Sequence, residues 1–140
     1  MEKGITLDHT HLMMISTADL AYLGDAVYEL KIRRMLILSG INGAGNLSAA
    51  ASKFVTAPNQ AKFLNEIWDL LTEEEQTVAK RARNKKPNNV PKHSTRTEYI
   101  YATALEAVFG YLSLKGDEER VDGLIKLIVE NYKQDTEEQA

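Results

Sequence analysis

The sequence contains no cysteine, which excludes disulfide bonds, thiolate zinc sites and a cysteine nucleophile. No apolar run approaches the roughly 18 residues needed to span a bilayer, and the first eight residues lack the basic and then apolar pattern of an export signal. We therefore expect a cytoplasmic protein without membrane contact. Any catalysis must use oxygen or nitrogen groups or a hard metal ion.

Proline is scarce, with three residues in the chain, and no segment alternates apolar and polar residues strictly enough to predict a strand. The sequence therefore predicts an all-α helical bundle. Its 140 residues suit one hydrophobic core, so we expect a single domain over residues 1–140. Residues 1–15 are expected to form an N-terminal extension and residues 134–140 a disordered tail.

Capping patterns predict where the helices begin. A hydroxyl residue followed three positions later by an acid occurs at Ser16 with Asp19, at Thr72 with Glu75 and at Thr95 with Glu98, and Asp117 can cap a last helix. Gly40 and Gly116 are suitable stops for two of these helices. The apolar helix between Thr95 and Gly116 is expected to lie at the centre of the core.

Charge is strongly segregated along the chain. The net charge is −3, yet residues 80–96, which we call the basic block, carry seven Lys or Arg and no acid. Pro87 and Pro91 disfavour a helix there and predict an exposed loop. An acidic body with one basic segment would attract a polyanion only locally, so the basic block is a candidate binding surface.

The basic block mixes forked guanidinium donors with lysine point charges, a combination that suits a nucleic-acid backbone. The predicted RNA contacts are Arg81, Arg83, Asn84, Lys85, Lys86, Lys92, His93 and Arg96. Two alternatives stay open, namely an ordinary solvated helix end and a surface for an acidic protein partner. His9 and His11 are expected to lie in a flexible terminus, with no third metal ligand nearby.

Two acids lie inside apolar stretches of predicted helices, Asp25 in LAYLGDAVYEL and Glu106 in TALEAVFGYL. Each stretch also contains a helix-interior glycine, Gly24 or Gly110, where two helix backbones could approach closely. If the helices cross there, the two carboxylates could bind one hard cation, and Mg²⁺ is the expected ion. The alternative is a pair of merely solvated or ion-paired acids, as expected for Glu29 with Arg33 four residues on.

These two stretches resemble the ribonuclease III family. Leu23, Gly24 and Asp25 match the family's signature helix, and Glu106 matches the metal-binding glutamate of its later helix. The chain length and the segment RARNKKPNNVPK are similar to the short Mini-ribonuclease III subgroup, which lacks a separate domain for binding double-stranded RNA. The resemblance covers roughly residues 20–114.

The resemblance implies a ribonuclease III endonuclease domain with Asp25 and Glu106 as catalytic and metal-binding residues. It implies a homodimer that cuts double-stranded RNA with Mg²⁺, leaving 5′-phosphate and 3′-hydroxyl ends. It further implies maturation of large-subunit (23S) ribosomal RNA precursors, assisted by a large-subunit ribosomal protein bound to that RNA.

The chain also departs from the larger family members, which carry acids at the positions of Ala21 and Thr103. Fewer protein ligands should leave more of the cation's coordination shell to water and RNA phosphate, so we expect weak metal binding without substrate. The rival hypothesis is a non-catalytic RNA-binding or ribosome-associated module that kept the helical fold. Retention of Asp25 and Glu106 favours the enzyme.

Overall fold

A computed structural model describes residues 8–85, 90, 92 and 94–139 of the chain. The described residues form seven α-helices and one 3₁₀ turn, with no strand among them. The helices are α1 (His9–Met14), α2 (Thr17–Leu38), α3 (Ala44–Val55), α4 (Ala57–Ile67), α5 (Glu73–Arg83), α6 (Arg96–Lys115) and α7 (Glu118–Gln139), and the 3₁₀ turn is Trp68–Leu70. The predicted all-α fold is confirmed. None of these helices is both long enough and apolar enough to cross a membrane.

Helix α6 is the centre of the bundle, as predicted. It contacts α1, α2, α4, α5 and α7, and its middle turns from Ala104 to Leu112 are buried apart from Glu106. Its ends are well defined, because Thr95 and Glu98 form a capping box and Gly116 adopts a left-handed conformation at the C-terminus. A central helix with fixed ends gives every side chain along it a fixed direction.

The predicted caps of α2, α5 and α7 are also present. The Ser16 hydroxyl accepts a hydrogen bond from the backbone of Asp19, and the Asp117 carboxylate accepts one from the backbone of Arg120. Glu75 closes the capping box of α5 and also pairs with Arg120 Nε at 2.8 Å while only 2% exposed. One carboxylate therefore fixes the start of α5 and ties α7 to it.

Both ends of the chain are helical in the structure, where the sequence predicts a flexible terminus and a disordered tail. His9 and His11 lie in helix α1, because Asp8 caps that helix and Leu12 inserts into the core. Residues 134–139, expected to be disordered, continue helix α7 to Gln139. This end contains no glycine or proline and consists mostly of good helix formers, so nothing in it stops the helix.

Helices α2 and α6 cross in direct main-chain contact at Gly24 and Gly110. A Cβ atom on Gly24 would overlap the backbone carbonyl of Glu106, and one on Gly110 would overlap the backbone carbonyl of Leu20. Each helix thus needs a glycine where the other helix passes, which explains both helix-interior glycines. We call this contact the α2–α6 crossing.

We expect Gly24→Ala to destabilise the fold by about 3 kcal/mol or more, because a backbone atom of the facing helix cannot move away as a flexible side chain can. The measurement is the free energy of unfolding in urea. Gly123→Ala is the matched control, since Gly123 lies inside α7 with no atom within 4 Å of its added Cβ. It should stabilise the protein by about 0.4–1 kcal/mol, and equal effects of the two substitutions would contradict the packing described here.

Candidate active site

The α2–α6 crossing brings Asp25 and Glu106 together. Asp25 follows Gly24 on α2 and is exposed, whereas Glu106 lies on α6 directly against the crossing and is half-buried. Their side chains are within hydrogen-bond distance of each other. We call these two residues the acid pair.

Burial, followed by repulsion from the neighbouring Asp25 carboxylate, raises the pKa of Glu106 to about 8. Glu29 lies one turn further along α2, and repulsion from its charge also raises the pKa of Glu106. Glu106 therefore keeps its proton at neutral pH and donates a hydrogen bond to Asp25 when no cation is bound. A bound cation would lower the pKa of Glu106, since it would offset the repulsion between two ionised carboxylates.

An open groove of about 600 Å³ begins at Glu106 of the acid pair, and we call it the acid groove. It runs between the start of α4 and the first turns of α6. Its walls are formed by Val55, Thr56, Ala57, Pro58, Asn59, Gln60, Ser94, Tyr99, Ala102, Thr103 and Glu106. The acid pair is therefore reachable by a large solvated ligand and is not sealed inside the core.

The oxygen ligands of the acid pair fit a hard divalent cation such as Mg²⁺. Across the residues the structure describes, no group of three or more His, Asp or Glu side chains is placed to hold a metal ion. Glu29 is engaged by Arg33 Nη2 at 3.4 Å, and the Thr103 hydroxyl donates to the carbonyl of Tyr99 in its own helix. Among the described residues, Asp25 and Glu106 are thus the carboxylates that this site offers to a cation.

The residues of the basic block divide into two groups. Asn84, Lys85, Lys92 and Arg96 are exposed, with Asn84 at the C-terminal end of α5 and Arg96 at the start of α6. Lys86 and His93 lie outside the described residues. Among these predicted RNA contacts, the exposed cations thus follow α5 and lead into α6, the helix that carries Glu106, and Lys80 of the same block is exposed on α5 itself.

Arg81 and Arg83 are only partly accessible. Arg81 Nη2 donates to the backbone carbonyl of Ile15 at 3.3 Å, so its guanidinium fastens α5 to the residue that follows α1. The Arg83 guanidinium lies 5.4 Å from the ring centre of Trp68 and 5.9 Å from that of Tyr101. Both contacts stabilise the bundle, which leaves less of each side chain for a ligand.

Gln60 is a site residue that the sequence analysis missed. It is 3% exposed on α4, and its side chain hydrogen-bonds to Glu106. A signal was present, because Gln60 precedes Leu64, Ile67 and Leu71 at helical spacing and so occupies the buried stripe of α4. A lone amide in such a stripe indicates a polar partner on the facing helix.

Comparisons with known proteins show the family to which this fold belongs. The model of the ribonuclease III domain matches residues 18–117. The chain is 38% identical to a Mini-ribonuclease 3 from Thermoanaerobacter sp. (strain X514), over 93% of this chain and 97% of that protein. It is 40% identical to a Mini-ribonuclease 3 from Clostridium tetani, over 84% and 79% of the two chains. A crystal structure of a Fusobacterium nucleatum protein superposes with a TM-score of 0.76 at 34% identity, covering 85% of this chain and 95% of the other.

The raised pKa of Glu106 predicts how stability depends on pH. A carboxyl group that titrates near pH 8 when folded and near 4.5 when unfolded is neutral below both values and costs stability as the pH rises between them. In EDTA, the free energy of unfolding of the wild type should therefore fall relative to that of Glu106→Gln between about pH 5 and 8, by on the order of a few kcal/mol.

Urea unfolding at several pH values measures this difference. Glu130→Gln, which changes an exposed acid on α7, is the control and should follow the wild type. Parallel curves for wild type and Glu106→Gln would show that Glu106 does not hold a proton in the folded state.

Proposed function

Because the chain belongs to the ribonuclease III family, we propose that the acid pair is the centre at which this endoribonuclease hydrolyses double-stranded RNA with a divalent metal, Mg²⁺. The observation that carries the proposal is the contact of Asp25 with Glu106 at the end of the acid groove. Two carboxylates held together cost stability unless a cation or a proton joins them, so their proximity is best explained by the reaction.

Asp25 and Glu106 would hold Mg²⁺ through their carboxylate oxygens, with Glu106 giving up its proton to become a ligand. The bound ion would supply an activated water and stabilise the charge that develops on the leaving oxygen. In-line attack of this water on phosphorus would form the new P–O bond as the bond from phosphorus to the 3′ oxygen breaks, with a proton lost from the water to solvent and one taken up by the 3′ oxygen. The products carry a 5′ phosphate and a 3′ hydroxyl.

The exposed residues of the basic block would bind the RNA backbone. Lys85, Lys92 and Arg96 offer phosphate contacts, and Asn84 offers a further polar contact. A-form RNA is recognised chiefly by its shape, its phosphates and its 2′ hydroxyl groups, all of which a basic loop beside an open groove can reach. We assign a smaller share of the binding to Arg81 and Arg83, because both are already engaged within the bundle.

A second copy of the chain would complete the enzyme as a homodimer. The outer side of α2 exposes Tyr22, Leu30 and Ile37, which are 85%, 56% and 59% exposed. At 100° per residue they fall within an arc of about 80°, beside the position of Asp25. The same arc also holds the exposed Arg33, which is paired with Glu29. Exposed apolar side chains along one side of a helix favour a partner of the same kind, and pairing there would bring two acid pairs towards one duplex.

The physiological substrate that we propose is a duplex in the precursor of large-subunit (23S) ribosomal RNA, in the cytoplasm. This follows from the resemblance to the Mini-ribonuclease III subgroup. A few exposed cations give little sequence discrimination, so a large-subunit ribosomal protein bound to the same RNA would supply part of the selectivity.

The decisive experiment separates cleavage from binding. Asp25→Asn should reduce cleavage of duplex RNA in Mg²⁺ by at least about 100-fold, because it removes half of the carboxylate oxygens of the site. Its affinity for the RNA should stay within about twofold of the wild type. Asp19→Asn on the same helix is the control and should cleave normally. Wild-type protein that binds the duplex but leaves it intact would favour the non-catalytic RNA-binding module.

The basic block is tested by the salt dependence of RNA binding. Replacing Lys85 and Lys92 with alanine should weaken binding and lower the slope of log K against log salt by about one for each phosphate that a lysine no longer neutralises. The control is Lys126→Ala, since Lys126 lies in a separate groove between α2 and α7. An unchanged slope in the double variant would remove both lysines from the interface. A stronger interaction with an acidic protein than with RNA would instead support a protein-interaction surface.

A further inference from the structure

Gln60 is the most deeply buried polar group beside the acid pair. It is 3% exposed and lies in the stripe of α4 that packs on the core with Leu64 and Ile67. Burying an amide among apolar side chains costs free energy unless its N–H and C=O groups find partners. The position therefore calls for a specific partner on a facing helix.

That partner is Glu106. The Gln60 side chain hydrogen-bonds to the Glu106 carboxyl group, and both residues line the acid groove. An amide N–H that donates to a carboxylate favours the ionised form, whereas burial and the charges of Asp25 and Glu29 disfavour it. Gln60 thus lowers the pKa of Glu106, whereas burial, Asp25 and Glu29 raise it.

Three helices meet at the Glu106 side chain. Asp25 reaches it from α2 and Gln60 reaches it from α4, while its own backbone is fixed by the α2–α6 crossing. The remaining side faces the open acid groove, where the glutamate could rotate away from Asp25. The contact from α4 restrains this rotation, because Gln60 is itself held in place by burial among the core residues of α4.

We propose that Gln60 is a positioning residue, whose amide holds the Glu106 carboxylate in the orientation in which it binds a divalent cation together with Asp25. The proposal rests on the proposed function of the acid pair. Groups that orient metal ligands in this way commonly contribute about 10- to 100-fold to metal affinity or activity.

The test uses Gln60→Met, which keeps the length of the side chain and removes its hydrogen bonds. We expect the Mg²⁺ concentration for half-maximal cleavage of duplex RNA to rise by about 10-fold or more, with a smaller change in the rate at saturating Mg²⁺. RNA affinity measured in EDTA should be unchanged. Gln60→Leu is the second variant in case the first does not fold.

A second readout does not depend on cleavage. Electron paramagnetic resonance measures Mn²⁺ binding to the RNA-free protein, with Asp25→Asn as the reference for a lost site. Gln60→Met should weaken the Mn²⁺ binding that Asp25→Asn abolishes, again by about 10-fold or more.

Phe63→Leu is the matched control, because Phe63 is buried on the same helix without contributing to the acid groove. It should lower the free energy of unfolding and leave both metal readouts unchanged. The proposal is overturned if Gln60→Met binds Mg²⁺ and Mn²⁺ as the wild type does, or if Phe63→Leu shifts both readouts equally. If the wild-type protein cleaves no duplex RNA, the proposed function is wrong. Mn²⁺ binding then decides separately whether Gln60 positions Glu106.

Discussion

The main-chain contact between α2 and α6 is the constraint on which the site depends. Gly24 lies against the backbone of Glu106, and Gly110 lies against the backbone of Leu20. The first of these contacts involves the backbone of a site residue itself, and Asp25 is the next residue after Gly24. The meeting of two rigid helices therefore fixes the backbones that carry the two acids, and the contact from Gln60 orients the Glu106 side chain between them. Such rigidity is what a metal-binding pair requires, since small displacements of its ligands weaken binding.

This arrangement makes the site costly for the fold. Asp25, Glu29 and Glu106 place three acids near one another, and burial adds to the cost of ionising Glu106. The metal-free protein avoids the cost of a buried charge by keeping Glu106 protonated. The Gln60 amide provides a polar partner for the same carboxyl group. The packing of the core offsets this cost, because α6 is buried along most of its length and is capped at both ends. The most extensive packing thus surrounds α6, the helix that carries the buried acid Glu106.

Sequence patterns predicted the features that depend on local chemistry. The caps at Ser16, Thr72 and Thr95 follow from hydrogen bonds within one turn, and the central position of α6 follows from its composition. The proximity of Asp25 and Glu106 was a conditional prediction, because it required the two glycines to face each other. The ends of the chain were less predictable, since the docking of Leu12 and the length of α7 depend on tertiary packing and on the absence of a stop signal.

Charge and polarity along a sequence do not reveal a side chain's partner on another helix. Arg81 and Arg83 belong to a basic run, yet one is bound to the Ile15 carbonyl and the other lies near two aromatic rings. Gln60 has no charge, yet it contacts the acid pair. Counting cations therefore overstates the surface available to RNA, and counting acids understates the set of residues that shapes the metal site. In both cases a partner on another helix redirects a side chain that the local sequence would leave in solvent.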